Sequence, residues 1–191
     1  MTDNKLSKYH KKRNFSQTKE PEGSTKSSDK WIFVVQKHDA RNLHYDIRLS
    51  IGGTLKSWAV PKGPSRDPSV KRLAIPTEDH PIDYASFEGT IPEGEYGAGT
   101  VIIWDKGTFE NASEDDDGNE VPLDKAYEKG HLVVNLEGEK LKGGFAFINT
   151  GSRWLLVKVD DAHAVKDDSL LDDEPASVVS GKTIGELERG E

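Results

Sequence analysis

The chain has no cysteine and one methionine in 191 residues. A disulfide framework and a thiolate metal site are therefore excluded. No apolar run approaches the ~20 residues that a membrane helix needs, and the N-terminus lacks the apolar stretch of a signal peptide. A soluble, cytoplasmic protein is the expectation. Basic excess is also missing: 26 Lys/Arg stand against 34 Asp/Glu, a formal net charge of −8. That balance argues against a protein that wraps nucleic acid by bulk electrostatics. The charge is uneven, however. Residues 1–30 carry eight bases and four acids, residues 31–109 nine and ten, and residues 160–191 three and ten. The acidity sits at the C-terminal end, and the middle is nearly neutral.

The length suits one domain with tails and allows a real core. Short β-rich runs begin at Trp31: WIFVV, HYDIRLSI, TLKSWAV, KRLAI, GTVIIWD, HLVVNL, GGFAFIN and RWLLVKV. Turn signals separate them, among them Gly52-Gly53, Lys62-Gly63-Pro64, Lys106-Gly107 and Gly143-Gly144. This pattern predicts an all-β fold, a compact closed or nearly closed β-barrel of about eight strands, with a short helix or two and polar tails. One helix is expected near Leu123–Lys129 and a helical turn near Ser169–Leu171. Trp31, Trp58, Trp104 and Trp154 are read as core residues. The run at 115–120 has the wrong oxygen spacing for an EF-hand and reads as a solvated loop. Residues 160–191 read as an acidic extension with little apolar content to anchor it.

The chemistry concentrates in QKHDARNLHYDIRL, residues 36–49. Side chains of an extended strand alternate faces. His44, Asp46 and Arg48 therefore share one side, while Tyr45, Ile47, Leu49 and Ile51 form an apolar side. Gln36 and His38 share parity just upstream, and a turn at residues 40–42 would bring them alongside. Imidazoles with a carboxylate suit a borderline divalent ion such as Mn, Fe, Zn or Co. An arginine one strand-step away suits an anionic substrate, most simply phosphate. A buried His–Asp–Arg brace without a ligand would have to satisfy every polar member at a cost of several kcal/mol otherwise, which cores rarely do.

His80 falls in a segment bounded by Pro76 and Pro81, read as a loop that could offer a third ligand or a proton donor. Tyr84 follows four residues later. The glycines of IPEGEYGAGTV lead into a strand, whereas a Walker loop needs Gly-Lys-Ser/Thr entering a helix, so Gly94, Gly97 and Gly99 are turn and close-packing positions. Lys62, Arg66, Lys71 and Arg72 form a candidate basic rim. A His-x-Asp pair with a distal histidine is also the facial triad of Fe(II)/2-oxoglutarate oxygenases. His80 lies only 34 positions past Asp46, and the next arginine after it is Arg153, which speaks against that chemistry. A non-catalytic binding barrel is the other rival.

The pieces YHKKRNFSQTKEPEG, FVVQKHDARNLHYDIRL, SWAVPKGPS, PTEDHPIDYASFEGTIPEGEYGAGTVIIWDKGTFE and WLLVKV closely resemble the 3′-phosphoesterase domain of bacterial DNA ligase D and its stand-alone archaeal relatives. The resemblance covers about residues 9–159 in the family's order. It implies a compact β-barrel with a manganese site that trims DNA 3′ ends during non-homologous end joining. It also implies two steps: removal of a 3′-terminal ribonucleoside, then hydrolysis of the remaining 3′-phosphate to a 3′-OH. His38, His44 and Asp46 would bind Mn²⁺, with Co²⁺ or Zn²⁺ as alternatives. Arg48 and His80 would contact the scissile phosphate, with Gln36 and Tyr84 in support and Lys62 and Arg72 flanking. Arg13 and Glu20 would serve the ribonucleoside step, from an arm at 9–30 that follows a flexible tail at 1–8. The chain has Asn14 where the family's arm carries aspartate, which implies a weaker ribonucleoside step. The implied partners are DNA or DNA–RNA primer–template 3′ ends, together with a separate ligase, polymerase or end-binding protein; the expected state is a monomer without membrane contact.

Overall fold

The computed structural model describes residues 5–23 and 30–191. Nine strands carry the fold: β1 (Ile32–Asp39), β2 (Leu43–Ile51), β3 (Thr54–Val60), β4 (Lys71–His80), β5 (Gly89–Ile91), β6 (Gly99–Asn111), β7 (His131–Gly138), β8 (Lys142–Asn149) and β9 (Trp154–Lys158). Their order is β1-β2-β3-β4-β9-β8-β7-β6, and β6 pairs back to β1, so eight antiparallel strands close a barrel with β5 added outside on β6. Full closure leaves the barrel no free edge. The helices are short: α1 (Ser7–Lys11), α2 (Leu123–Lys129), α3 (Leu170–Asp173) and α4 (Ile184–Glu188). Among the described residues no helix is long and apolar enough to cross a membrane.

β6 explains how the barrel closes. Thirteen residues long, it pairs with β1 along Thr100–Thr108 and with β7 along Gly107–Asn111. Glycines permit its close approaches. A Cβ on Gly99 would lie 2.1 Å from the Asp39 carbonyl oxygen, and one on Gly107 would lie 2.0 Å from that of Glu137. Any larger residue would force the strands apart.

Period-two alternation sorts the side chains into two cores. Phe33, Val35, Tyr45, Ile47, Leu49, Trp58, Trp104, Phe145 and Phe147 fill the barrel. A smaller outer cluster gathers Tyr9, Leu55, Tyr84, Phe87, Ile91 and Val101. It forms where the N-terminal arm lies against the outside of the sheet, so the functional row of β1 and β2 faces a covered outer surface. Trp58, Trp104 and Trp154 are buried, but Trp31 is 44 % exposed and stacks on Phe109, because it precedes β1 and lies outside the barrel.

Three further features depart from the sequence reading. His80 is not on a loop: β4 continues through Pro76 to His80. Proline is tolerated there because β4 pairs with β9 only over Lys71–Ala74 and with β3 from Ile75 onward, so Pro76 sits where one neighbour has already departed. β5 is too short to announce itself. Helix α1 also starts at Ser7 and Lys5 donates to the Gly52 carbonyl (2.6 Å), so order begins inside the segment expected to be a flexible tail. The remainder of that tail, 1–4, and the arm's 24–29 lie outside the described residues.

The acidic stretch 160–191 is laid along the barrel. Leu170 and Ile184 are buried. Asp168 holds the Arg66 guanidinium at 2.7 Å, Trp104 Nε1 donates to the Glu174 carbonyl at 2.8 Å, and the Val178 N–H donates to the Ile103 carbonyl at 2.9 Å. A few anchors with well-placed hydrogen bonds replace a continuous apolar face.

Candidate active site

The β1–β2 register builds the site. His38 pairs with His44, and Gln36 with Asp46, across an antiparallel hairpin turned by residues 40–42. All four side chains leave the sheet on the face opposite the barrel core. The ligand atoms of His38, His44 and Asp46 lie within 4.8 Å of one another, and among the described residues this is the one such His/carboxylate grouping. His38 Nδ1 is 3.5 Å and His44 Nε2 is 3.3 Å from Asp46 Oδ2.

The outer hydrogen bonds of the imidazoles test whether this set suits a cation. His38 Nε2 lies 2.7 Å from the Gly97 carbonyl oxygen, which can only accept, so that nitrogen carries the proton. His44 Nδ1 likewise donates to the Asn42 carbonyl at 2.9 Å. In the neutral rings, His38 Nδ1 and His44 Nε2 then present lone pairs toward the same carboxylate oxygen. Arg48 NH2 lies 3.5 Å from that oxygen but leaves the two imidazole lone pairs facing a carboxylate, an arrangement that a cation among the three would relieve, and carbonyl-anchored imidazoles are the usual support of metal ligands. The residues fit a divalent metal. Burial alone would push the Asp46 carboxyl up, but the Arg48 charge and the two imidazoles hold it far below the usual range. Burial opposes charge on His44 as well, yet its contacts with Asp46 outweigh this and raise its pKa.

Arg48 and His80 complete the floor. Arg48, 4 % exposed, donates from Nε to Gln36 Oε1 at 2.7 Å. Gln36 is fixed in turn by donating to the Tyr84 and Phe87 carbonyls. This turns the outer end of the guanidinium toward His80, with NH1 3.2 Å from Nδ1, and toward Asp46, with NH2 3.5 Å away. His80 Nδ1 donates to the Glu78 carbonyl at 2.8 Å, which leaves Nε2 as acceptor for Arg13 NH2 at 3.3 Å. Burial, then the charges of Arg48 and Arg13, push the His80 pKa well below normal, so the ring is neutral near pH 7.

The arm closes the pocket. Tyr9 is fully buried against His80 and Tyr84. Arg13 donates from Nε to Glu20 at 2.9 Å and from NH1 to Glu78 at 3.2 Å. Glu20 also accepts the Tyr84 hydroxyl at 2.7 Å. Lys12 pairs with Glu78 at 3.0 Å. The result is a cavity of about 260 Å³ lined by the triad, Arg13, Arg48, Glu78, His80, Tyr84, Tyr96 and neighbouring small residues.

Of the predicted site residues, His38, His44, Asp46, Arg48, His80, Tyr84 and Arg13 line this cavity, and Gln36 and Glu20 stand behind it holding the two arginines. Lys62 and Arg72 do not line it. Lys62 is exposed in the turn after β3. Arg72 pairs with the core residue Leu156 and so faces the barrel side of β4, its Nε buried without a hydrogen-bond partner. Asn14 is exposed, and its side-chain oxygen accepts from the Ser16 N–H and hydroxyl, a turn that aspartate would make equally well. Glu78, Lys12 and Tyr96 escaped the sequence reading. Glu78 shares the period-two face of His80, a signal hidden once the segment is taken as a loop.

A model of the DNA ligase D 3′-phosphoesterase domain matches residues 36–149 of this chain. The chain belongs to that family. Its similarity to curated proteins agrees. It is 49 % identical over 192 aligned residues to the multifunctional non-homologous end joining protein LigD of Pseudomonas aeruginosa, covering 94 % of this chain and 22 % of that protein. It is 47 % identical to the LigD of Mycobacterium tuberculosis, over 79 % of this chain and 19 % of that protein. A third LigD, from Mycolicibacterium smegmatis, is 44 % identical over 85 % of the chain. The chain thus spans about a fifth of the length of these relatives. For a ligase D phosphoesterase domain, the distinctive strings of the sequence now have positions: the His38–His44–Asp46 hairpin, the β4 floor and the glycine-rich loop whose Gly97 carbonyl accepts a hydrogen bond from His38.

Proposed function

We propose that this chain is a divalent-metal-dependent 3′-end-processing phosphoesterase that acts in DNA repair by end joining. Its substrates are DNA or DNA–RNA primer–template 3′ ends; it removes a 3′-terminal ribonucleoside and hydrolyses the 3′-phosphate to a 3′-OH. The observation that carries this reading is the convergence of a three-acceptor cation site with two buried guanidiniums in one cavity. Mn²⁺ is the favoured ion, with Co²⁺ or Zn²⁺ acceptable to the same His₂Asp donors. Such an ion, held by His38, His44 and Asp46, would supply Lewis-acid stabilisation of phosphoryl oxygens and activation of a bound water or hydroxyl.

The protein's own contribution is preorganised charge. Lys12, Arg13 and Arg48 are balanced by Glu20, Asp46 and Glu78 through the ion pairs of the site. The network is therefore neutral alone, and a divalent ion gives it the +2 that a phosphate dianion neutralises. Arg48 is held at Nε, so its outer donors reach the cavity without reorganising as charge builds on the phosphoryl oxygens. Arg13 is clamped by two carboxylates and presents NH2 beside His80. His80 is neutral and its Nδ1 proton is committed to a carbonyl, which favours a role in setting Arg13 through Nε2 and contacting phosphate over donating a proton.

A 3′-OH is the end that ligation or polymerisation consumes, so the partners are a ligase and a polymerase, on this chain's own protein or another, in the cytoplasm. The test uses a labelled primer–template ending in one ribonucleotide, beside one ending in 3′-phosphate, with Mn²⁺ or EDTA. Metal-dependent conversion of both to 3′-OH is expected. EDTA-insensitive DNA binding with no turnover of either would replace this reading with a non-catalytic end-binding module.

A further inference from the structure

The tyrosines of the site are buried with one exception. Tyr9 and Tyr84 are 0 % and 3 % exposed, whereas Tyr96 is 47 % exposed and still lines the metal cavity. It stands at the tip of the loop between β5 and β6, which two turns shape: the Glu95 N–H donates to the Pro92 carbonyl and the Ala98 N–H to the Glu95 carbonyl, each at 3.1 Å. The next residue, Gly97, has positive φ and gives its carbonyl to His38. The ring is thus tied through one peptide to a metal ligand. Two cations attend it: Lys12 Nζ lies 4.7 Å from the ring centroid and 3.3 Å from the hydroxyl, and the Arg13 guanidinium lies 5.4 Å from the centroid.

The surroundings give this end of the cavity a direction. A larger open groove of about 660 Å³ adjoins the cavity and shares Ala40, Ile91 and Gly97 with it, but Arg13, Glu78 and Tyr96 line only the cavity. A single leaving nucleoside needs only the end beside the arm, where Lys12 and Arg13 stand, whereas the charged lining of the open groove is Arg41, Glu93 and Glu188. We propose, resting on the 3′-processing reading above, that Tyr96 is the stacking platform for the base of the 3′-terminal nucleoside that leaves. An exposed ring flanked by cations beside a phosphate site has the composition of a single-strand nucleic-acid contact, and every base offers a face for it. Tyr96 then makes the site favour a terminus that carries a base, whichever base that is.

The experiment compares wild type, Tyr96→Ala and Tyr96→Phe on three primers, ending in a ribonucleotide, in an abasic ribose and in a 3′-phosphate. For Tyr96→Ala the ratio of kcat/KM on the ribonucleotide end to that on the abasic end should fall roughly 5- to 150-fold, the range carried by base–aromatic stacking. Tyr96→Phe should keep the wild-type ratio, because the stacking face survives while the Lys12 bond is lost. In parallel, a primer ending in 2-aminopurine riboside is saturated with each protein in EDTA, where nothing turns over. Its fluorescence should be quenched more by wild type and Tyr96→Phe than by Tyr96→Ala. Equal loss on all three primers, or equal quenching by all three proteins, would overturn the stacking role. Inactivity of wild type on every primer would instead strike the proposed function, and the fluorescence comparison would still decide Tyr96.

Discussion

His80 offers a quantitative check on the charge logic of the site. Its ring is packed by Tyr9 of the arm, Tyr84 of the turn after β4, Arg48 of β2, Arg13 of the arm and the Glu78 backbone, with Asp46 the nearest carboxylate on β2 to act on it. Burial and the two guanidiniums depress its folded pKa well below 6.5. The unfolded chain takes up a proton there near pH 6.5, and the native ring refuses it. Stability is therefore full above the unfolded value and is lost as pH falls from it toward the folded one. For one such group the loss between pH 7.5 and pH 5.5 is at most about 1.4 kcal/mol, the limit set by the unfolded ring when the native ring binds no proton at pH 5.5. Urea unfolding in EDTA at both pH values, for wild type and His80→Gln, reads it directly. Wild type should lose more than the variant, by up to about 1.4 kcal/mol. His44, whose pKa is raised, contributes in the opposite sense, but it is common to both proteins and cancels. Equal losses would show that native His80 titrates normally, and would return it to the role of proton donor.

Other outcomes follow from the same geometry. Asp46→Ala removes the carboxylate on which both imidazoles and Arg48 converge, so turnover should fall at least ~100-fold, with metal affinity measured by Mn²⁺ titration falling alongside. Near-normal turnover by the folded variant would exclude the metal assignment. Glu20→Gln strips the charge from a buried group that holds both Arg13 and Tyr84, and should cost about 1–3 kcal/mol in denaturant unfolding. Lys62→Ala and Arg72→Ala lie off the cavity lining. Each should leave Mn²⁺ affinity within about twofold and lower 3′-phosphate turnover by less than ~10-fold, a hierarchy opposite to that of Asp46→Ala.

The shared face of the candidate metal row could be read from residues 36–48 because a strand's alternation is a local property: once the stretch is extended, Gln36, His38, His44, Asp46 and Arg48 must share a face. The barrel was legible for a similar reason, as eight β-rich runs punctuated by turn residues. What local pattern could not carry was the fate of segments whose structure depends on neighbours. Pro76 argued for a loop, and only the early departure of β9 lets β4 run on to deliver Glu78 and His80 together.

The arm is the clearest division between the two levels. Composition alone makes the first 30 residues a polar stretch that contains Tyr9, Arg13 and Glu20, and only the family resemblance led to the expectation of an arm at 9–30 behind a tail at 1–8. Their order comes from outside: Tyr9 finds a buried slot against His80 and Tyr84, and Arg13 finds Glu78 on β4, 65 positions away. Burial of a charge is favourable only where a partner already waits, and partners so distant in the chain meet only when the barrel has closed. The same holds for Tyr96, whose exposure beside the metal row is decided by the loop that reaches across to His38. Sequence alone determined which chemistry-bearing residues the chain carries; tertiary structure decided which charges face one another, which ring is buried and which stays exposed.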